Sequence, residues 1–454
     1  MKEPVKRKIT SFGLYKTVDS LILTPENLDD LKQCLQYAKK KKLKIAIKSG
    51  GNSFSDVSQN DQLIIELSKL KSLKSFDEEN GIVVVEAGIR IGDLLSKIMP
   101  LNWILVGLSG SVNDLVGGLA SSNTHGKDSW KNGNFSTNIL SFKILLSNGD
   151  IKEIKREVDS ELFNAIIGGL GFFGIIVELT LKLRPIPSYM VYHETKRFQS
   201  LESLIDFFYN KDENFEFAHA LIDPFFEGKK IGNGVIESAK LIEKQNCSIS
   251  KFNEFLSNKE KIYHFKPKTF WSIYRKFSSN KLIYRKSLLK TKNPSIIPFS
   301  KFQYPHADKP YYNLLFAPSG FIEFQNIFPK KSVLEAFTEL ILLTKKLDFN
   351  PFIFGVKRHK SDPPYLSFAN DGMSITINYS LNGLTKKQHE KFSTSILEKI
   401  LEYDGIIYLS KYSDLPKWSL QKMYPEYKKI IEIKEKIDPE NIFCSHATQR
   451  LFLN

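Results

Sequence analysis

Between residues 20 and 185 the chain alternates short apolar runs with longer stretches whose apolar positions recur at helical spacing. Ile45-Ala46-Ile47, Leu63-Ile64-Ile65 and Ile82-Val83-Val84-Val85 are short and rich in β-branched residues, so they predict strands. Thr24 followed by Pro25 marks a helix start, with Thr24 as cap and Pro25 in the first helical position, and this helix runs to Lys42. Ile91 to Met99 predicts an amphipathic helix, and Glu161 to Ile167 a second one ahead of a strand over Ile175 to Leu181. Leu140–Leu146 and Ile151–Ile154, joined by Ser147-Asn148-Gly149-Asp150, predict a hairpin. The two prolines of Arg184-Pro185-Ile186-Pro187-Ser188 argue against regular structure across them and place a domain boundary there. Residues 189–404 mix strands and helices, are rich in aromatic residues and include a basic stretch over about 250–310. Residues 405–454 open on a strand, Ile406-Ile407-Tyr408-Leu409, followed by helix-like segments. No internal repeat or low-complexity tract interrupts the pattern.

Composition narrows the class. A chain of 454 residues, 42% apolar and 12% aromatic, can bury a large core and divide into two or more domains. No run approaches the ~18 uninterrupted apolar residues of a spanning helix. The opening Met-Lys-Glu-Pro-Val-Lys-Arg-Lys lacks a following apolar segment, so no signal peptide is expected and the chain reads as cytoplasmic. Cys34, Cys247 and Cys444 are far apart and odd in number, which fits a reducing compartment and offers no metal-binding spacing. The net charge of +15 could serve a nucleic acid, an anionic membrane surface or a phosphorylated substrate. Its densest run, Lys39–Lys44, falls at a helix C-terminus, where cations are favoured locally. With no RNA-binding aromatic signature or zinc finger, a nucleic-acid partner is not expected.

Candidate chemistry lies in the glycine-rich loops. Lys48-Ser49-Gly50-Gly51-Asn52-Ser53-Phe54-Ser55-Asp56 follows directly on a predicted strand. A second loop, Gly107 to Lys127, contains Gly110, Val116-Gly117-Gly118 and Thr124-His125-Gly126. Without a Cβ, glycine lets backbone N–H groups come close to a diphosphate, so two such loops point to a large phosphate-bearing cofactor. A Walker loop is excluded, because Ser121 stands where its first glycine should be and Asp128 where its hydroxyl should be. Gly169-Leu170-Gly171-Phe172-Phe173-Gly174 matches G-x-G-x-x-G, but it follows a predicted helix and precedes a strand, the reverse of a Rossmann unit.

Gly50-Gly51-Asn52-Ser53, Val116-Gly117-Gly118 and the Gly-Gly-x-Gly-x-x-Gly-Ile-Ile run ending at Ile176 resemble the FAD-binding domain of vanillyl-alcohol-oxidase-type flavoproteins. Within that superfamily the chain is similar to the decaprenylphosphoryl-ribose oxidase group. Thr124-His125-Gly126-Lys127, Leu282-Ile283-Tyr284-Arg285-Lys286-Ser287, Gly320-Phe321-Ile322-Glu323-Phe324-Gln325, Met423-Tyr424-Pro425 and Ile437-Asp438-Pro439 fall in that group's order and approximate spacing. The resemblance implies an α+β, two-domain flavoprotein. Its FAD-binding domain would be bipartite, residues 1–188 completed by 405–454, and residues 189–404 would form an α+β substrate domain on an antiparallel sheet.

The resemblance also implies site residues. FAD would meet Ser49 to Asp56, Gly110, Val116, Gly117, Gly118, Ser122, His125, Gly126, Gly174, Ile175 and Tyr408. Asn52 stands where many relatives carry the histidine that links flavin covalently, and an amide cannot make that bond, so the FAD is expected to be non-covalent. Lys357, Gln325, Ser374, Thr376 and Lys411 would line the substrate pocket. Lys411 would be the catalytic lysine, stabilising or accepting from the alcohol oxygen. Lys357 and Gln325 would hold sugar or phosphate oxygens, and His125 would pack at the flavin edge and assist proton transfer. Ser374 and Thr376 replace an Asn and a Cys of the group's pattern, Phe54 a Tyr and Asn52 an Arg, so the pocket differs around the sugar.

The implied activity is oxidation of a sugar secondary alcohol. Its specific form is oxidation at the 2-hydroxyl of a polyprenyl-phosphoryl pentose, the first half of a 2-epimerisation completed by a nicotinamide-dependent reductase partner. An aldonolactone or sugar-alcohol oxidase is the alternative within the superfamily; a non-enzymatic basic adaptor is the alternative outside it. A lipid-linked substrate and the basic charge would together favour peripheral contact with anionic membranes.

Overall fold

The computed structural model describes residues 2–210, 215–223, 231–243, 294–305, 316–347 and 353–453, with residues 291, 349 and 351. The Leu282–Ser287 motif, Cys247 and most of the basic stretch lie outside the described residues. The first sheet contains β1 (Val5–Thr10), β2 (Thr17–Leu23), β3 (Ile45–Lys48) and β4 (Leu63–Glu66) in the order β1-β2-β4-β3. Strands β2 and β3 both run parallel to β4, which is buried along its length, as a two-faced parallel strand must be. The helix Leu28–Lys41 connects β2 to β3 and buries Leu31, Cys34, Leu35 and Ala38, an i, i+3, i+4, i+7 stripe. Its cap is Asn27, not Thr24: the Asn27 side chain accepts from Asp30 N–H at 2.9 Å. Pro25 thus sits in the approach, and Thr24 turns its hydroxyl to Glu66 at 3.4 Å.

The second sheet contains β5 (Leu73–Asp77), β6 (Ile82–Glu86), β8 (Ile139–Leu145), β9 (Ile151–Lys155) and β10 (Ile175–Lys182), in the order β5-β6-β10-β8-β9. The predicted hairpin is β8–β9, with Leu145 opposite Ile151 and Gly149 at φ 96° in the turn. The helix Ser160–Ile166 precedes Gly168–Gly174 and β10 follows it, the order that rules out a Rossmann unit. The proline segment is not free of regular structure: β7 (Trp103–Ile104) pairs with β11 (Arg184–Pro185). The pairing survives because Ile186, rather than Pro185, supplies the N–H, donating to the Asn102 carbonyl at 2.8 Å.

The third sheet is antiparallel, with eight strands among the described residues: β12 (Met190–Phe198), β13 (Phe217–Ile222), β14 (Gly234–Leu241), β15 (Ser295–Pro298), β16 (Phe321–Pro329), β17 (Ile353–His359), β18 (Gly372–Ser380) and β19 (Ile406–Ile407). Phe324, Phe328, Ile375 and Ile377 face a core built with the helices Val333–Lys346 and Lys386–Glu402. Alternation therefore turns Glu323, Gln325, Lys357 and Thr376 to the other face, toward the glycine loops. No helix among the described residues is long and apolar enough to cross a membrane.

The last fifty residues reach both the third sheet and the first. Strand β19 extends the third sheet beside β16, and the chain then returns to the first sheet. There Ile45 donates to the Ile442 carbonyl at 2.7 Å, and Cys444 donates to the Ile45 carbonyl at 2.8 Å. The helix Tyr427–Ile437 is locked by Lys434, whose ammonium meets Asp438 at 2.6 Å and the Phe443 carbonyl at 2.8 Å. Burial pushes the Lys434 ammonium down to about 8, against the pull of Asp438. Removing one partner of a buried pair strands the other, so Lys434→Met should cost about 3–5 kcal/mol of stability. Denaturant unfolding measures this, and a loss within about 0.5 kcal/mol of zero would contradict the stated role.

Candidate functional site

The glycine loops and the polar face of the third sheet enclose a space of about 930 Å³, including its open mouth. The loops contribute Ser49, Gly50, Gly51, Asn52, Ser53, Phe54, Gly110, Gly118, Ser122 and His125; the sheet contributes Gln325, Lys357 and Thr376; the segment after β19 contributes Tyr408 and Lys411. A second cleft of about 500 Å³ shares Ser49, Ser53, Gly118 and Ser122 with the first and continues past Gly117, Gly171 and Gly174. The two together form an elongated track floored by glycines.

The backbone of this track requires glycine at specific points. Gly51 has φ 69°, a left-handed conformation that side chains rarely adopt. A Cβ on Gly118 would come within 3.0 Å of the Ser49 hydroxyl oxygen and narrow the cavity where both clefts meet. Asn52 ties the two loops together by donating to Asp114 Oδ1 at 2.5 Å, and Ser109 donates to the other carboxylate oxygen. Burial raises the Asp114 carboxyl pKa, with the Ser109 and Asn52 bonds acting against the shift.

On the sheet side, the electrostatics separate the two lysines. Lys411 forms an ion pair with Glu323 at 2.9 Å, and its ammonium lies 3.5 Å from the centre of the Phe54 ring. Lys357 is pushed down to about 8 by burial first and by the Lys411 charge second, with Glu323 acting the other way. Sequence reasoning gave the proton-transfer role to Lys411; the lowered pKa lies at Lys357. His125 Nε2 lies 3.1 Å from Gln325 Oε1. Burial, reinforced by Lys357, holds its pKa well below the ordinary value, so it is neutral at pH 7 and cannot act as a cationic acid. His359 is pushed down to about 3 by burial and Lys357. Tyr408 stacks on Phe368 at 4.7 Å, packs against His125 and donates to the Ser122 carbonyl at 2.8 Å, closing one end of the cavity, while His359 packs on Phe368 outside the lining.

Several candidates lie away from the main cavity. Asp56 is behind the first loop, paired with Arg450, because the chain has turned away from the cavity after Phe54. Ser55 is buried outside both clefts, Val116 packs in the core, and Ile175 pairs with Leu145 inside the second sheet. Gly126 sits in a tight turn where a Cβ would meet Asp128 Oδ1 at 2.4 Å. Ser374 shares a strand face with Thr376, but its hydroxyl is taken by His359 Nε2 at 2.8 Å and it is only 1% exposed. Gly117 and Gly174 line the second cleft alone. Sequence reasoning passed over Glu323, Asp114, Ser109 and Ser410, all at the cavity. Glu323 stands two residues before Gln325 in a strand, so the period-two rule would have found it.

The fit to FAD can be judged on these residues. The Ser49 hydroxyl and His125 Nδ1 are buried at the cavity without a hydrogen-bond partner among the described residues. A Cβ on Gly110 would meet nothing within 4 Å. An elongated, glycine-floored track with unpaired polar groups suits a dinucleotide, whose diphosphate needs close backbone approach.

Comparison with known proteins agrees. A family described as FAD binding domain matches residues 20–155, and one described as D-arabinono-1,4-lactone oxidase matches residues 319–451. The decaprenylphosphoryl-β-D-ribose oxidase of Mycolicibacterium smegmatis is 26% identical over 89% of this chain and 88% of its own length. The putative D-arabinono-1,4-lactone oxidase of Neurospora crassa is 30% identical over 38% of this chain and 31% of its own length. The L-gulonolactone oxidase of Bos taurus is 29% identical over 38% and 39%, respectively. The chain is similar to FAD-linked oxidoreductases in both its N-terminal and its C-terminal segment. It is an FAD-dependent oxidoreductase, and FAD is its cofactor.

With Asn52 engaged by Asp114, the first loop offers the flavin no covalent link. Acid or heat should therefore release yellow FAD from the purified protein and leave the polypeptide colourless. Flavin remaining on the denatured chain in a mass spectrum would contradict this.

Proposed function

We propose that this chain oxidises a sugar secondary alcohol, specifically the 2-hydroxyl of a polyprenyl-phosphoryl pentose such as ribose, to a 2-keto product. The observation that carries the reading is the pair of lysines facing the glycine loops, Lys411 from the turn after β19 and charge-paired, Lys357 from the sheet face with its proton loosened. Loss of hydrogen from an alcohol carbon requires departure of a hydride from carbon and a proton from oxygen. Bound FAD supplies the two-electron acceptor for the hydride. Neutral Lys357 Nζ takes the hydroxyl proton, a transfer its lowered pKa makes possible near neutral pH. The Lys411 cation, held by Glu323, stabilises the developing negative charge on that oxygen. Gln325 and Thr376 orient neighbouring hydroxyls, and neutral His125 fixes the Gln325 amide through Nε2.

Likeness to the ribose-lipid oxidase of Mycolicibacterium smegmatis supports the lipid-linked substrate, because it extends over both units of the chain. On this reading the keto product passes to a nicotinamide-dependent reductase that completes the epimerisation. A second reading, oxidation of an aldonolactone, is favoured by the match over residues 319–451, the segment that carries Lys357, Thr376 and Lys411.

Anaerobic bleaching of the flavin separates the two. A short-chain polyprenyl-phosphoryl-β-D-ribose should bleach it faster than D-arabinono-1,4-lactone or L-gulono-1,4-lactone; bleaching by the lactones alone would select the second reading. Lys357→Met should slow reduction about 10²–10⁴-fold with FAD retained, as expected for loss of a positioned base. Lys411→Met should slow it as well, through loss of charge stabilisation. Wild-type rates in both variants at saturation would remove the lysines from the mechanism.

A further inference from the structure

Behind the first loop, on the side away from the cavity, Arg450 joins two segments that carry the site. Its Nη1 and Nη2 donate to the Asp56 carboxylate at 3.1 and 2.9 Å. Its Nε and Nη2 donate to the Ser413 carbonyl at 3.2 and 3.1 Å. Nη2 also lies 3.2 Å from Ser413 Oγ and 3.0 Å from Asp414. Ser413 Oγ in turn donates to Asp56 at 3.1 Å. Asp56 ends the loop that opens at Gly50, and Ser413 stands two residues after Lys411. Between these anchors, Phe54 N–H donates to the Ser410 carbonyl at 3.2 Å, and the Lys411 ammonium rests on the Phe54 ring.

The arrangement has the features of a device that fixes geometry. The Asp56 side chain is 5% exposed, unlike an ordinary surface ion pair, which contributes little. Burial alone would raise its carboxyl pKa; the Arg450 bonds and charge outweigh burial and hold it below the ordinary value. A planar guanidinium making bidentate contact fixes direction as well as distance. Arg450 is itself anchored, since Leu451 and Phe452 beside it are buried and Phe452 stacks on Phe172 at 5.0 Å. The guanidinium does not line the cavity.

We propose that Arg450 is a positioning residue for the reaction: by clamping Asp56 to Ser413 it sets Lys411 against Phe54, and through Lys411 it sets the charge felt by Lys357. The catalytic consequence rests on the lysine roles proposed above, whereas the geometric consequence does not.

The test uses holoenzyme carrying Arg450→Lys, which keeps a cation but loses the planar fork, or Asp56→Asn, which keeps the shape but loses the charge. Competitive labelling of Lys357 with acetic anhydride across pH, read by mass spectrometry, titrates that lysine without any substrate. With FAD content and melting temperature near those of the native protein, both variants should move the Lys357 midpoint upward from about 8, because the Lys411 charge has withdrawn. Flavin reduction by short-chain polyprenyl-phosphoryl-β-D-ribose should slow about 10²-fold, the scale of a misplaced catalytic group. The double variant should be no worse than either single one, since both break the same clamp. An unchanged Lys357 midpoint in a variant that retains FAD would overturn the proposal, as would reduction that slows only in proportion to lost FAD. If Arg450→Lys does not fold, Asp56→Asn decides on the same readings. If the native enzyme is reduced by no sugar, the proposed function fails, while the Lys357 titration still decides the clamp.

Discussion

Lys357 holds its proton weakly because it is buried and shares its cavity with the Lys411 charge, and the chemistry proposed for this molecule depends on that conflict. Lys411, in the turn after β19, is paired with Glu323 of β16 at 2.9 Å and rests on the face of Phe54. Lys357 stands on the same sheet face with burial and the Lys411 charge both acting against its proton. The result is an ion-paired lysine sharing a cavity with one that gives up its proton near pH 8, opposite a glycine-floored track. Two lysines in open solvent would both hold their protons up to about pH 10. The antiparallel sheet makes the difference, because its period of two turns Glu323, Gln325, Lys357 and Thr376 toward one space while Phe324, Phe328, Ile375 and Ile377 hold the strands to the helices behind.

The cofactor side follows from a different constraint. A diphosphate must meet backbone, so both loops are glycine-rich where they approach the cavity, and they are tied to one another at its wall. Asn52 bonds Asp114 across the loops, and Asp56 is fixed from behind by Arg450. The tail supplies that arginine, the strand beside β16 and the residues that return to β3, so a short C-terminal segment sets the spacing between flavin loops and sheet.

Much of this was legible in the residues. The strands over residues 45–47, 63–65 and 82–85, the hairpin at 140–154 and the helix-then-strand order around Gly169–Gly174 all follow from apolar period and turn chemistry. The loops that meet at the cavity were visible as Gly50-Gly51-Asn52-Ser53 and Gly117-Gly118. What was not legible depends on tertiary contact. The helix cap moved from Thr24 to Asn27 because Asn27 reaches the Asp30 N–H while Thr24 faces Glu66. Asp56 belonged to a motif yet points away from the cavity, and Ser374 is occupied by a histidine fifteen residues away. The different electrostatic settings of Lys357 and Lys411 could not be read from sequence, since the Lys411–Glu323 ion pair joins residues from two distant segments.

The central claim is that a neutral Lys357 accepts the substrate proton, and the pH dependence of anaerobic flavin reduction at saturating short-chain polyprenyl-phosphoryl-β-D-ribose tests it most directly. A base that must be unprotonated is inactive below its pKa and active above it, so the rate should rise with pH through a midpoint near 8. In Lys357→Met that rise should vanish and leave a low rate independent of pH. A native rate that stays flat between pH 6 and pH 10, or a rise that persists in Lys357→Met, would contradict the account.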